Sequence, residues 1–215
     1  MEQRRNGTKE KILTEALRLF SRRGYDAVSV EQIAEAVGIK APSLYNHYKG
    51  KQHIFDAIFE ETERRFQSLS DEISLDFTNS KMDDQQIMQE LNEVIDEDRL
   101  VNRAKEFFTY SLHDEFVSQF RKMLTIEQFR NAETAELYTR RYVTFMIDYH
   151  KELFSGLMDM GVLKREDPEA LALLYDSPII VLLEICDRQP EKEQECLKKL
   201  EAHVRLFHAS FGPTK

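Results

Sequence analysis

Apolar residues recur at intervals of three and four through most of the 215-residue chain, a pattern that predicts helices throughout. Ile12, Leu13, Ala16, Leu17 and Phe20 mark an amphipathic helix over residues 9–23, with Thr8 as its expected N-cap and Gly24 as its stop. A second helix opens at Ser29, where Gln32 completes a capping box. It carries Val30, Ile33, Ala34 and Val37 inward and ends at Gly38. At about eight residues it is too short to stand alone and must pack on its neighbours. Residues 40–48 give a third helix, with Pro42 suited to a first turn and Leu44 anchoring it in a small core. Lys49-Gly50 breaks the pattern, and a fourth helix then carries Ile54, Phe55, Ile58, Phe59 and Phe66.

Residues 71–84 read as a loop. Ile87, Met88, Leu91, Val94 and Ile95 follow as a helix that closes in the solvated run Asp96-Glu97-Asp98. Leu100, Val101, Ala104, Phe107, Phe108 and Leu112 form another, and Phe116, Phe120, Met123, Leu124 and Ile126 continue the helical period to about Phe129. A long helix is expected from near Ala132 to Met160, stopped by Gly161. Asp167-Pro168 is a restart signal, an N-cap followed by proline. The helix it opens is apolar nearly all round, and Pro178 within it should kink it or open one backbone bond. The last helix spans about residues 191–211.

Composition narrows the reading. Seven glycines and five prolines are too few for an all-β chain, and no apolar run approaches the roughly 18 residues of a membrane span. The first residues lack the apolar core of a secretory signal, so a cytoplasmic protein is expected. Cys186 and Cys196 are too few for a disulfide framework and lack metal-ligand spacing, so they read as packing residues with a redox role left open. The net charge of -9 seems to exclude nucleic acid, but it is unevenly spread. Residues 1–51 hold ten bases and six acids, a charge of +4, and the remaining 164 residues carry -13. Such asymmetry is a cue for an N-terminal module that faces a polyanion.

Two short helices around a glycine turn, braced by a longer first helix, form a helix-turn-helix arrangement. The run Leu19-Phe20-x-x-x-Gly24-Tyr25-x-x-x-Ser29-Val30-x-x-Ile33-Ala34-x-x-x-Gly38-Ile39-x-x-x-Ser43-Leu44-Tyr45-x-His47-Tyr48-x-x-Lys51 resembles the N-terminal signature of TetR-family (TetR/AcrR-type) transcriptional regulators. The likeness is sharp over the first 60 residues or so; beyond them only helix order and length agree. It departs from the family at Tyr48, where Phe is commoner. The resemblance implies an all-α fold: a three-helix DNA-binding domain over residues 1–52, with its motif at about 29–48, then a larger effector-binding and dimerisation domain over residues 53–215.

On that reading residues 40–48 enter the DNA major groove. Tyr45, His47 and Lys51 sit where family members contact phosphates, and Ser29 presents a hydroxyl and helix-terminal amides to the backbone. Lys40, Ala41, Ser43 and Asn46 are candidates for reading base edges; Asn46 can pair with adenine, Lys40 can reach guanine and Ala41 can meet a thymine methyl. Four of them have a plainer reading: Tyr45 as a lid on the small core, Ser29 as a cap only, His47 and Lys51 as ordinary surface residues. Arg4 and Arg5 are either a minor-groove arm or a disordered end.

So short a recognition helix needs two half-sites, hence a homodimer, and the resemblance assigns its interface to helices at about 168–187 and 191–211. Phe107, Phe108, Tyr110, Met123, Tyr138, Tyr142, Phe145, Met146 and Tyr149 are candidates to line a pocket for an unknown small-molecule effector, or are plain core. His113 and His150 could hydrogen-bond an effector or bind a metal, but ordinary solvated or satisfied histidines are the simpler reading. No cofactor and no metal are expected. G-x-G-x-x-G, P-loop, H-E-x-x-H and G-x-S-x-G motifs are all missing from the sequence, which argues against an enzyme. The expected function is a dimeric repressor of a palindromic operator, released when an effector tilts the fourth helix. A TetR-like DNA-binding protein without an effector, acting through a protein partner, is the alternative.

Overall fold

The computed structural model describes residues 2–73, 96–129 and 132–213, and every regular element among them is helical. In chain order these are α1 (Glu2–Arg23), α2 (Val30–Val37), α3 (Ala41–Leu44), α4 (Lys51–Ile73), α5 (Glu97–His113), α6 (Glu115–Glu127) and α7 (Ala132–Tyr138). A π-helical turn (Thr139–Thr144), α8 (Phe145–Asp159), α9 (Pro168–Arg188), a 3₁₀ turn (Pro190–Lys192) and α10 (Glu193–Phe211) complete them. The all-α class is as expected. The helix expected at residues 87–95 lies outside the described residues, as does most of the loop before it.

Several boundaries differ from the sequence reading, each for a local reason. Thr8 is not a cap, because α1 begins at Glu2, takes in Arg4 and Arg5, and runs on through Asn6 and Gly7, which weaken the helix without ending it. Asp71, Glu72 and Ile73 belong to α4 rather than to a loop. Asp96 opens a helix: its carboxylate accepts the Arg99 N–H at 3.0 Å, and Glu97 and Asp98 fall in the first turn, where the helix dipole favours acids. The period running on through Phe116 conceals a break at Asp114, whose side chain caps α6 by accepting the Val117 N–H at 2.8 Å. The long helix expected from Ala132 is interrupted by the π-helical turn. Asp167 caps α9 as expected, accepting the N–H groups of Glu169 and Ala170, both at 2.9 Å.

The helices form two compact units. The first contains α1–α4 with α6 and α7. Ile12, Ala16 and Phe20 of α1, Ile33 of α2, Leu44 of α3 and Ile54 and Ile58 of α4 are fully buried in it. α6 packs along α1 and adds Phe120, Met123 and Leu124. A chain of rings links these helices: Phe55 to Phe59 at 4.8 Å, and Phe59 to Phe120 at 5.3 Å.

The second unit contains α5, the π-helical turn and α8–α10. Its core includes Phe108, Phe154, Leu171, Tyr175, Leu200, Val204 and Phe207. Arg205 of α10 ties down the start of α5, reaching Glu97 at 2.7 Å and Asp98 at 3.0 Å. No described helix is long and apolar enough to cross a membrane.

Candidate nucleic-acid interface

The second helix is built as its sequence demands. The Ser29 hydroxyl accepts the Gln32 N–H at 3.3 Å, and the Gln32 side chain accepts the Ser29 N–H at 2.9 Å. Gly38, at φ 79°, ends the helix in the left-handed conformation, letting the Ile39 N–H reach back to the Ala34 carbonyl at 2.9 Å. The chain reverses there without a Cβ penalty, and α3 follows at once.

α3 is shorter than the nine residues expected. Lys40 is its extended N-cap and Pro42 lies in its first turn, but the regular α-helix ends at Leu44. Tighter bonds continue the coil: Asn46 N–H to Ser43 O at 3.3 Å and His47 N–H to Leu44 O at 2.9 Å. Leu44 and Tyr48, one helical turn apart, are both fully buried on the same side, and Lys49-Gly50 then ends the coil. The Leu44 carbonyl accepts from both His47, at 2.9 Å, and Tyr48, at 3.1 Å.

That geometry sorts the candidate residues. Lys40, Ser43, Tyr45 and Asn46 are exposed, with Tyr45 at 52%, so its ring is not a lid on the core. Ala41 and His47 are half-buried beside them. The core position belongs to Tyr48, whose hydroxyl donates to the Lys9 carbonyl at 3.4 Å; burial holds that phenol well above its ordinary pKa. The hydroxyl by which this sequence departs from its resemblance thus has its own acceptor.

Lys51 opens α4 and is committed inward. Its ammonium donates to the carbonyls of Tyr25 at 2.8 Å and Val28 at 2.9 Å, and sits 4.1 Å from the centre of the Tyr25 ring. Three donors minus two leave one for a phosphate. Ser29 is also engaged: Glu31 is held below the ordinary carboxylate range, chiefly by a backbone hydrogen bond and then by the Ser29 hydroxyl.

The sequence assigns no role to Tyr25 beyond its place in the signature, and none to Gln52 or Glu127. The Tyr25 hydroxyl donates to the Gln52 side chain at 2.9 Å, and its N–H donates to the buried Glu127 carboxylate at 2.8 Å. Nothing in a local pattern pairs residues 102 positions apart.

The nine effector candidates fall in both units. Met123, fully buried, and Tyr138 belong to the first. Phe107, Phe108, Tyr110, Tyr142, Phe145, Met146 and Tyr149 belong to the second, where Phe108 is fully buried, Phe145 is exposed and the others are half-buried. His150 pairs with the buried Asp176 at 2.9 Å and stacks on Phe154 at 5.4 Å. Cys186 and Cys196 are both buried and unbridged, and burial pushes the Cys186 thiol up to about 12. No group of three potential metal ligands occurs among the described residues.

Residues 12–58 match the sequence profile described as bacterial regulatory proteins, tetR family. The biofilm operon icaADBC negative transcriptional regulator IcaR of Staphylococcus epidermidis is 45% identical over 47 residues, 22% of this chain and 25% of that protein. This chain thus matches only about a quarter of the length of that relative. The transcriptional regulator AcrR of Shigella flexneri is 28% identical over 196 residues, covering 79% of this chain and 88% of AcrR. Among solved structures, SmeT, the repressor of the Stenotrophomonas maltophilia multidrug efflux pump SmeDEF, shares the fold in its triclosan complex. There the TM-score is 0.59 at 20% identity, over 96% of this chain and 92% of SmeT. Together with the capped second helix, the glycine turn and the exposed third helix, these matches show that residues 12–58 form a helix-turn-helix module of the tetR-family type.

Proposed function

We propose that the protein is a dimeric transcription regulator that represses from a palindromic operator and is released by a small-molecule effector. The observation that carries this reading is the split face of residues 40–48. Leu44 and Tyr48 are buried while Lys40, Ser43, Tyr45 and Asn46 are exposed together, as a surface that meets base edges and phosphates requires. On this reading residues 1–52 read DNA, and residues 53–215 carry the dimer and effector roles.

The dimer is supported by apolar surface on the last two helices. Leu173, Leu174 and Val181 of α9 and Leu206 of α10 are all exposed, and exposed apolar side chains on two packed helices support an association surface there. An effector site in the second unit is supported by its half-buried Phe107, Tyr110, Tyr142, Met146 and Tyr149, which offer apolar area with a few hydroxyls for orientation. SmeT, solved with triclosan, is a precedent for a bound small molecule in this fold.

Selection of duplexes from a random-sequence pool tests the reading. The enriched sequence should contain two inverted half-sites whose centres lie about one helical turn apart, or a multiple of it, and two protomers should bind it with an affinity that falls steeply with salt. Binding that stays independent of sequence at every salt concentration would overturn it.

A further inference from the structure

The loop between α1 and α2 is held by two helices at once. Gly24, at φ 78°, turns the chain out of α1, and Ser29 caps α2. Between them, every polar group of Tyr25 is committed: its N–H to Glu127 of α6, its carbonyl to Lys51 of α4, and its hydroxyl to Gln52 of α4. Its ring lies 5.4 Å from Phe20 and 4.9 Å from Phe55. A residue held in this way fixes where α2 begins.

Glu127 is an improbable acid by local rules. It is the last residue of α6, where the helix dipole disfavours a negative charge. It is also 5% exposed, so its carboxylate has lost most of its hydration. Helix propensity and solubility do not account for it; accepting the Tyr25 N–H gives it a structural role across the chain.

We propose that Glu127 is a positioning residue for DNA binding: it sets the α1–α2 loop and, through that loop, Ser29 and the α2–α3 pair. The proposal rests on the reading that residues 29–51 meet DNA. It makes α6 an element that operator affinity depends on, although no residue of α6 is among those assigned to DNA.

The test uses the full chain and the duplex that the wild-type protein enriches from a random pool. Glu127→Gln keeps a side-chain oxygen for the Tyr25 N–H, and Glu127→Leu keeps the volume without the acceptor. Glu127→Asp is a milder change that shortens the reach. The Gln variant should bind within about twofold of wild type, and the Leu variant about tenfold or more weakly, at a temperature where circular dichroism shows it folded. The Asp variant should fall between them. The Tyr25 amide should exchange slowly in wild type and Gln, and faster in Asp and Leu.

A role limited to stability would lower the melting temperature but leave the affinity of the folded molecules unchanged, and that result would overturn the proposal. So would a Gln variant as weak as Leu. If Leu does not fold, Asp decides: wild-type affinity together with faster Tyr25 exchange refutes the link. Failure of the wild type to enrich any duplex would instead refute the regulator reading itself.

Discussion

Lys51 shows how one side chain can serve the fold and, on the proposed function, the DNA interface together. Two of its three donors go to the carbonyls of Tyr25 and Val28, and only the third is left for DNA. Lys51→Ala should therefore lower both operator affinity and thermal stability, the latter by about 1–3 kcal/mol, because it strips two carbonyls of a charged donor. Tyr45→Ala should lower affinity while leaving the unfolding free energy within about 0.5 kcal/mol, since the ring is 52% exposed. Melting curves beside duplex titrations separate the two. Equal stability of Lys51→Ala and wild type would mean that the inward hydrogen bonds contribute little in solution. Residue chemistry was legible in sequence where it was local: the Ser29–Gln32 box and the left-handed Gly38 both follow from residue type and spacing. It was not legible where partners are remote, as with Glu127 and Tyr25, or where the backbone decides, as with the tightening after Leu44.

At the scale of whole helices, apolar periodicity placed α1, α2, α4, α9 and α10 within a few residues or a turn or two of where they lie, because amphipathic faces are burial faces. It misjudged the starts of α5 and α6, since an acid at a helix start and an acid on a solvated face look alike until the backbone amides are located. Periodicity also read α9 as apolar all round. The fold divides that helix, burying Leu171, Ile179, Leu182 and Leu183 and leaving Leu174 and Val181 exposed. Those two are seven residues apart and lie along one stripe. Val181→Glu should leave the monomer fold intact, because the site is 56% exposed, while weakening self-association at least about tenfold through a desolvated, unpaired charge. Sedimentation equilibrium reads the outcome. A variant that dimerises like wild type would move the interface away from this stripe.

Over the whole chain, the +4 of residues 1–51 and the -13 of the rest make the protein a strongly polar body toward DNA. Phosphate attracts the first part and repels the second, so the acidic residues should select orientation at encounter rather than contribute to bound contacts. That distinction is testable through screening. At about 0.01 M salt the Debye length is about 30 Å and exposed acids act across the molecule; at about 0.15 M it is about 8 Å and they act only locally. Glu106, Glu152 and Glu166 are exposed and lie far in sequence from the DNA-reading stretch. Changing all three to Gln should raise affinity for a scrambled duplex several-fold at the lower salt and leave it unchanged at the higher. The ratio of selected to scrambled affinity should therefore narrow only when screening is weak. An equal gain at both salts would mean that these carboxylates stand directly against the duplex, and no gain at either would mean that the acidic part does not steer.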